Sequence, residues 1–312
     1  MKKPRIIFMG TPDFAVPSLQ ILLENGYEII AVITAVDKPA GRGMKLSESA
    51  IKIFALSQNL KIFQPEKLKD PGFINELSSL NADLQIVVAF RMLPEVVWNM
   101  PPMGTINLHG SLLPQYRGAA PVNWAVINGE TETGVTTFKL KHEIDTGNIL
   151  LQRKIEIGEV ETAGELYNRM KEIGAELLLQ TIANLEKDTA LEVPQDTMYN
   201  STDGKGIIHL APKITSDICK IKWEKSVEEI YNLVRGLSPY PAAFTLLRGK
   251  ILKIFKAEKE KEKVAITPGE IISDNKTFLK FACSDGYISL KELQLEGKKR
   301  MSVEDFLKGW RS

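Results

Sequence analysis

The amino-terminal half of the chain alternates short, continuous apolar runs with segments of helical periodicity. Runs rich in β-branched residues lie at 5–9, 28–34, 84–90 and, in a shorter form, at 105–108. Segments with helical spacing lie between them, at 49–59 and 72–80. Strands that are apolar throughout are buried on both faces, which is typical of a parallel sheet covered by helices. The alternation therefore predicts an α/β domain with a Rossmann-like parallel sheet.

The character of the sequence changes after a helical segment at about 162–185. Residues 188–208 are polar and contain Pro, Asn, Asp and Gly, as linkers between domains commonly do. One helical segment near 226–235 follows. Five short alternating segments come after it, which we predict to be strands over 243–247, 251–257, 264–272, 277–282 and 287–293. Regularly spaced short strands are typical of a small β-barrel. We predict a first domain over 1–188, a linker over 189–208 and an OB-like β-barrel domain over 209–312.

Composition excludes several classes of protein. Of the 312 residues, 44% are hydrophobic and 25% are charged, so the chain is neither disordered, collagenous nor a coiled coil. The two cysteines, Cys219 and Cys283, lie far apart and form no CxxC pattern. No apolar run reaches the roughly 20 residues of a membrane helix or the length of a signal-peptide core. We expect a cytoplasmic protein.

Charge is distributed unevenly along the chain. Residues 207–312 contain 20 basic and 14 acidic side chains, whereas the whole chain has a net charge of only +1. Such an asymmetry can steer a polyanion to one half of a protein. It is also common in small stable domains, so the charge alone leaves nucleic-acid binding open.

The segment TINLHGSLLPQYRGAAP, at 105–121, combines polar side chains with a loop. Asn107 and His109 alternate on the predicted strand, so their side chains leave the same face. Open α/β sheets bind ligands at the carboxyl ends of such strands. A structural interpretation stays equally open, in which His109 is a hydrogen-bonded core residue and Asn107 caps a loop.

A second segment, GVTTFKLKHEIDTG at 134–147, ends in an Asp145-Thr-Gly turn. A carboxylate beside an imidazole favours its charged form and orients the ring, so Asp145 is a candidate partner of His109. An ordinary turn of this composition is the alternative. His142 has neither an HExxH spacing nor a second nearby histidine, and we therefore predict no metal site.

Together these motifs resemble those of the folate-dependent formyltransferases. The resemblance rests on the Asn107-x-His109 pair, the SLLPxYRGxAP motif and the Asp145 turn. It extends over nearly the whole chain, through MGTPDFAVPSL at 9–19, KPAGRG at 38–43, AFxxLP at 89–94, APKI at 211–214 and Pro-Tyr-Pro at 239–241. It implies transfer of the formyl group of 10-formyltetrahydrofolate, a co-substrate, to the α-amino group of methionyl-initiator tRNA. It implies no membrane and no obligate protein partner.

The resemblance also implies roles for individual residues. Catalysis is assigned to Asn107, His109 and Asp145. Folate binding is assigned to the backbone of Phe90, Arg91, Met92 and Leu93 and to Ser111, Leu112, Leu113 and Pro114. Backbone N–H and C=O groups can recognise the edge of a pterin ring. Contacts with tRNA are assigned to the basic, glycine-rich loop that contains Lys38, Arg42 and Lys45. The carboxy-terminal domain offers a further basic group, which comprises Lys220, Lys222, Lys298, Lys299 and Arg300.

Two other functions compete with this interpretation. A formyltransferase acting on a UDP-amino sugar has the same two-domain plan, and residues 116–135 fit it well. The basic loop and the basic carboxy-terminal domain argue against it. A non-catalytic RNA-binding protein is the alternative from another class, and the joint presence of Asn107, His109 and Asp145 argues against that.

Overall fold

The computed structural model describes residues 3–40, 45–199 and 208–310. Its strands, in chain order, are β1 (Arg5–Gly10), β2 (Glu28–Ile33), β3 (Lys38–Ala40), β4 (Lys45–Ser47), β5 (Ile62–Phe63), β6 (Leu84–Val88), β7 (Thr105–His109), β8 (Arg117–Gly118), β9 (Glu132–Lys139), β10 (Ile149–Glu156), β11 (Leu210–Ala211), β12 (Ala243–Leu247), β13 (Lys250–Glu260), β14 (Ile271–Ser273), β15 (Leu279–Cys283), β16 (Gly286–Leu295) and β17 (Met301–Ser302).

The helices occupy most of the segments between strands in the first half of the chain. In chain order they are α1 (Val16–Glu24), α2 (Ala50–Ser57), α3 (Pro71–Ser79), α4 (Glu95–Trp98), α5 (Pro121–Ile127), α6 (Ala163–Glu186), α7 (Gln195–Tyr199), α8 (Ser216–Cys219), α9 (Val227–Leu237) and α10 (Val303–Lys308). A 3₁₀ turn, Asp13–Ala15, precedes α1.

Contacts divide the chain into two compact units. The amino-terminal unit consists of Met1–Arg117, Gly134–Ile155 and Asn168–His209. The carboxy-terminal unit consists of Gly118–Thr133, Glu156–Tyr167 and Leu210–Ser312. Two segments of the predicted first domain, Gly118–Thr133 and Glu156–Tyr167, are thus grouped with the carboxy-terminal unit. The described start of the predicted linker, 189–199, is grouped with the amino-terminal unit. The domain boundaries stay a prediction.

The amino-terminal unit contains a seven-stranded sheet with the strand order β10-β9-β7-β6-β1-β2-β5. Strands β5, β2, β1, β6 and β7 are parallel neighbours, which confirms the predicted Rossmann-like arrangement. Strand β9 pairs with β7 in the antiparallel sense. The sheet is therefore mixed, and β7, which carries the candidate residues, is the strand at which parallel pairing changes to antiparallel pairing.

Both faces of this sheet are covered. Ile6 and Ile7 follow one another on β1 and so point to opposite faces, and both are completely buried. Ile7 shares one core cluster with Phe73 and Leu77 of α3, so this helix covers one face. The burial of consecutive residues explains why the strand is apolar throughout rather than alternating.

Side-chain caps define where two of the covering helices begin. The Ser49 hydroxyl accepts a hydrogen bond from the Lys52 N–H at 3.0 Å, in front of α2. The Asp70 carboxylate accepts one from the Phe73 N–H at 3.0 Å, and Pro71 occupies the first helical position of α3. Each cap satisfies a backbone donor that has no partner within the helix, which typically contributes about 1 kcal/mol.

The carboxy-terminal unit is built on an antiparallel sheet with the order β12-β13-β16-β15-β14, and β17 also pairs with β16. The described pairings form a path with β12 and β14 at its ends, so the predicted barrel takes the form of a half-barrel. Its core includes Trp223, whose ring stacks on Phe281 at 4.5 Å between centroids. The predicted strand over 264–272 is shorter than expected, since β14 begins only at Ile271.

Helix α9 supplies much of the apolar core of this unit. It begins with a capping box, in which Ser226 and Glu229 each bond to the backbone of the other. Ile230 and Val234 lie on its buried face. The amide of Asn123 on α5 donates to the carbonyl oxygen of Gly236 at 2.8 Å, and this contact joins the two helices of the same unit.

The two cysteines both lie in the carboxy-terminal unit as buried free thiols. Burial raises the pKa of the Cys219 thiol above its usual value. It raises the pKa of Cys283 to about 11. Both thiols therefore stay protonated near neutral pH.

No helix in the described ranges is long and apolar enough to cross a membrane.

Candidate active site

Strand β7 holds Asn107 and His109 between two neighbouring strands. Asn107 lies beside Val87 of β6 on one side and Phe138 of β9 on the other. Its side chain is half-buried and makes no hydrogen bond with any other residue in the described part of the chain. A rigid strand thus presents an amide whose donors and acceptor are available to a ligand.

His109 is 7% exposed and is held by a main-chain contact. Its Nε2 lies 2.9 Å from the carbonyl oxygen of Tyr116. Its Nδ1 lies 3.8 Å from Oδ2 of Asp145, a separation that suits a charged pair but exceeds a hydrogen bond. The structure therefore brings together these two residues from segments that are 36 positions apart in the sequence.

Asp145 lies in the turn that follows β9, with a backbone φ of +54°. Few residues other than glycine adopt this left-handed region, and Asp is among those that do. A Cβ on Gly147 would overlap the carbonyl oxygen of Lys139, so the turn lies directly against the end of the strand. The left-handed backbone suits an aspartate at position 145, and the close approach requires a glycine at position 147.

Gln195 is a further residue of this site, and the sequence interpretation missed it. It is 2% exposed, and its Nε2 donates to the carbonyl oxygens of Asp145 and Gly147, each at 2.8 Å. Its Oε1 accepts hydrogen bonds from Arg117. The sequence signal for this residue is weak, because Gln195 is a single glutamine within the polar segment 189–208 that we predict to be a linker.

The loop after β7 is tied to β9 through Thr136. The Thr136 hydroxyl donates to the carbonyl oxygen of Ser111 at 2.6 Å, and the Leu113 N–H lies 3.2 Å from the same hydroxyl. The Ser111 hydroxyl is buried and donates to the carbonyl oxygen of Gln115 at 2.6 Å. Leu113 is 1% exposed in the core, while Leu112 and Pro114 are half-buried. Of the predicted folate residues in this loop, Ser111 and Leu113 are therefore held in place by hydrogen bonds within the protein and by burial.

The segment after β6 contains the other predicted folate residues. Phe90 is half-buried, Arg91 and Met92 are exposed, and Leu93 is 9% exposed within the core. The backbone N–H groups of Phe90, Arg91 and Met92 donate no hydrogen bond within the described chain. They are thus available to a ligand, as the prediction of backbone recognition requires.

The Arg91 side chain contacts the segment that follows β5. Its guanidinium donates to the carbonyl oxygen of Glu66 at 2.9 Å and to that of Pro65, and it lies over the ring of Phe90. These contacts link the segment after β6 to residues 65–66. They also occupy the guanidinium, so the described contacts favour recognition by the backbone rather than by this side chain.

The predicted tRNA loop is a hairpin whose tip lies outside the described residues. Strands β3 and β4 pair, with Lys38 opposite Ser47, and Lys38 is exposed. Lys45 begins β4, and Arg42 belongs to residues 41–44, outside the described ranges. At the base of the hairpin, the Asp37 carboxylate accepts hydrogen bonds from Lys52 and Gln64, and the Lys52 contact lowers its pKa below the usual value.

All five residues of the predicted basic group of the carboxy-terminal unit are exposed, namely Lys220, Lys222, Lys298, Lys299 and Arg300. Arg300 is also paired, because its guanidinium makes two hydrogen bonds to Glu292, at 2.7 and 2.6 Å, and lies over the ring of Phe255.

Metal ligands are not clustered in the described residues. No group of three His, Cys, Asp or Glu there is arranged to hold an ion. His142 Nδ1 lies 3.6 Å from Glu95 Oε2, and both side chains are exposed to solvent.

Comparison with known proteins gives two family matches. A model described as "Formyl transferase" matches residues 4–182, and one described as "Formyl transferase, C-terminal domain" matches residues 213–311.

Curated relatives match almost from end to end. A methionyl-tRNA formyltransferase of Parabacteroides distasonis is 52% identical over 319 residues, which cover 100% of this chain and 98% of the relative. One of Bacteroides fragilis is 49% identical over 317 residues, which cover 99% and 97%.

Solved structures share the fold at lower identity. WlaRD, a sugar 3N-formyl transferase crystallised with dTDP and 5-N-formyl-THF, has a TM-score of 0.66 at 22% identity and covers 96% of this chain and 100% of its own. HypX from Aquifex aeolicus, in complex with tetrahydrofolic acid, has a TM-score of 0.63 at 20% identity and covers 100% of this chain and 50% of its own.

Proposed function

The chain belongs to the formyl transferase family, and we propose that it transfers the formyl group of 10-formyltetrahydrofolate to the α-amino group of methionyl-initiator tRNA. The product would be formylmethionyl-tRNA, which serves translation initiation in the cytoplasm. The observation that carries this proposal is about 50% identity, over nearly the full length, to proteins named methionyl-tRNA formyltransferase.

Two acceptors of the formyl group have to be distinguished, an aminoacyl-tRNA and an amino sugar. The alternative, a UDP-amino sugar, draws on neighbours such as WlaRD, but that similarity of 22% identity reflects the shared fold alone. The curated relatives cover both units of the chain at more than twice that identity. This similarity favours tRNA over the amino sugar as the acceptor.

Asn107 would stabilise the charge that develops during transfer. Attack of the amine on the formyl carbon places negative charge on the formyl oxygen, and a fixed amide N–H is suited to donate to it. Removal of one such donor typically lowers kcat by about 10²–10³-fold. Because Asn107 lies on a strand paired on both sides, its amide needs little rearrangement to act.

His109 would take or relay the proton that the amine loses. An α-amine has a pKa of about 7.7–8.0 and is partly neutral near pH 7, so it requires little activation as a nucleophile. The Asp145 carboxylate, 3.8 Å from Nδ1, would stabilise the charged imidazole. The bond from the amine to the formyl carbon forms, the bond from that carbon to N10 breaks, and N10 regains a proton.

The groups available around β6 and β7 fit a folate. Its heteroaromatic ring edge presents donors and acceptors that backbone groups can recognise, and the N–H groups of Phe90, Arg91 and Met92 donate no hydrogen bond to any described residue. Leu112 and Pro114 would line the same site, while Leu93, Ser111 and Leu113 would support it from the core. The folate supplies the formyl group, and the residues of the chain bind and orient it.

Basic residues would recognise the tRNA through its phosphates. The hairpin residues Lys38, Arg42 and Lys45 would contact phosphates near the acceptor end, and the carboxy-terminal basic group would contact other phosphates of the tRNA. Such contacts position a nucleic acid and make its affinity fall with salt.

The test is a formylation assay with two acceptors. The purified protein receives 10-formyltetrahydrofolate with either methionyl-tRNA or a UDP-amino sugar, and the products are separated. We expect formylmethionyl-tRNA. Formylation of the sugar in preference to the aminoacyl-tRNA would contradict the assignment, and so would the absence of both products from a folded preparation.

A further inference from the structure

The buried amide of Gln195 joins two loops of the amino-terminal unit. Its Nε2 donates to the carbonyl oxygens of Asp145 and Gly147, each at 2.8 Å. Its Oε1 accepts from Nε of Arg117 at 3.1 Å and from Nη2 at 2.5 Å. The Nε2 and Oε1 atoms of this one side chain are thus both hydrogen-bonded to the protein. The side chain is also almost completely buried, so water is largely excluded from it.

The first of these loops determines where the Asp145 carboxylate lies. The left-handed backbone of Asp145 and the close approach of Gly147 to Lys139 leave the turn little freedom on the side of β9. Gln195 holds the turn from the other side through its main-chain carbonyls. A displacement of this backbone would change the 3.8 Å separation between Asp145 and His109.

The second loop determines where the His109 imidazole lies. Arg117 directly follows Tyr116, and the Tyr116 carbonyl oxygen, in the peptide group that links these two residues, contacts His109 Nε2. The hydrogen bonds between Arg117 and Gln195 therefore connect the support of the imidazole to the support of the carboxylate.

We propose that Gln195 is a positioning residue for formyl transfer, which holds the Asp145 turn and the Tyr116–Arg117 loop at the separation that the His109–Asp145 pair requires. The assignment rests on the proposed function, since it presumes that His109 and Asp145 act in the reaction. Gln195 acts through these residues and not on a substrate, so its loss should lower kcat with little change in KM.

The sharpest variant is Gln195→Glu, which keeps the volume and the contact with Arg117. A carboxylate has no N–H to donate to the two carbonyl oxygens, so the turn loses its support while the core stays filled. We expect kcat to fall about tenfold to hundredfold, with KM for both substrates within about threefold of wild type, because small displacements at a reacting centre have effects of this size. Arg117→Met breaks the other half of the link and should lower kcat in the same way.

A matched control is Gln85→Ala, which removes another fully buried glutamine from β6 of the same sheet. It should lower the free energy of unfolding while kcat stays within about threefold of wild type. An unchanged kcat in folded Gln195→Glu would overturn the proposal. Equal losses of kcat in Gln195→Glu and Gln85→Ala would also overturn it, since the effect would then be one of general stability.

A second measurement needs no substrate and so separates this proposal from the choice of acceptor. The chain has three histidines, whose imidazole signals can be followed by NMR. Asp145→Asn should move the His109 signals, and Gln195→Glu should move them as well, while those of exposed His142 stay in place. His109 signals that respond to Asp145→Asn but not to Gln195→Glu would overturn the positioning role, even if the protein formylated another acceptor.

Discussion

The imidazole Nε2 of His109 donates a hydrogen bond to the main-chain carbonyl oxygen of Tyr116 over 2.9 Å. A carbonyl oxygen only accepts, so this nitrogen carries a proton in the neutral ring as well as in the charged one. The Nδ1 atom, which faces Asp145, is therefore the nitrogen at which the neutral ring can gain a proton. A main-chain contact thus selects the neutral tautomer that carries its proton on Nε2.

Replacement of Asn107 by alanine should leave the fold intact and lower kcat by about 10²–10³-fold, because a preorganised donor to the formyl oxygen is lost. Steady-state formylation of methionyl-tRNA measures the rate, and circular dichroism checks the fold. Asn99→Ala, at an exposed asparagine outside β7, is the matched control and should be neutral. Comparable rates in Asn107→Ala and wild type would contradict the proposed role.

His109→Ala should nearly abolish transfer, since no other described residue lies in the position of its imidazole between Tyr116 and Asp145. General acid–base catalysis typically contributes about 10²–10⁴-fold, and we expect a loss in that range. Single-turnover formylation with saturating substrates measures the chemical step. His142→Ala changes an exposed histidine and should retain activity. A folded His109→Ala enzyme with normal turnover would exclude the mechanism.

Arg42→Ala should weaken the use of methionyl-tRNA far more than it affects the folate, because the basic hairpin is expected to contact phosphates. Removal of one phosphate contact should also reduce the steepness of the salt dependence of tRNA affinity by about one unit. KM for each substrate, measured over a series of salt concentrations, tests both effects. Lys308→Ala, at a largely exposed lysine of α10, is the control. Equal changes in the two KM values would argue against the tRNA role of the loop.

Tyr27→Phe should reduce the loss of stability in strongly alkaline solution. Burial, with the nearby charge of Glu186, raises the pKa of Tyr27 to about 12 in the folded protein, whereas the unfolded chain ionises near 10. The neutral phenol therefore stabilises the fold fully below about pH 10 and loses this contribution as the pH rises towards 12. Urea unfolding of both proteins between pH 8 and 11.5 should show a shallower decline for Tyr27→Phe. Parallel declines would contradict this.

Glu229→Gln should remove a small, acid-sensitive contribution to stability. The hydrogen bond from Lys225, followed by those from Ser226, lowers the pKa of Glu229 to about 2 from an ordinary value of 4.5. This contribution is complete above about pH 4.5 and is lost as the pH falls towards 2. Glutamine can still form the capping box, and the side chain is largely exposed, so the difference at pH 7 should be about 0.5 kcal/mol or less. The difference in the free energy of unfolding between wild type and Glu229→Gln should be smaller at pH 3 than at pH 7. A difference that was larger at pH 3 would contradict the assignment.

Elements with a strong local signal were predictable from the sequence. The apolar run over 5–9 forms β1, Arg5–Gly10, and the periodic segment over 162–185 forms α6, Ala163–Glu186. In both cases the hydrophobic pattern of the segment itself specifies the element. The alternation of Asn107 and His109 on one strand was predictable for the same reason.

Relationships between distant segments were not predictable. The antiparallel pairing of β9 with β7 depends on how Thr136 and Phe138 pack against a strand about 30 residues earlier, and no local pattern encodes that choice. Gln195 lies 50 residues from the turn it holds. Its described neighbours, 191–194 and 196–197, are exposed, so the local sequence favours a linker. The buried amide of Gln195 depends on carbonyl groups that only the folded chain brings close.

The two buried thiols of the carboxy-terminal unit have a practical consequence. Only thiolates react rapidly with maleimides, and Cys219 and Cys283 are both shielded from solvent and protonated near neutral pH. A cysteine introduced on the surface, for example at the exposed position of Lys38, would therefore be labelled first. A fluorophore could in this way be attached to the β3–β4 hairpin without removing either natural cysteine.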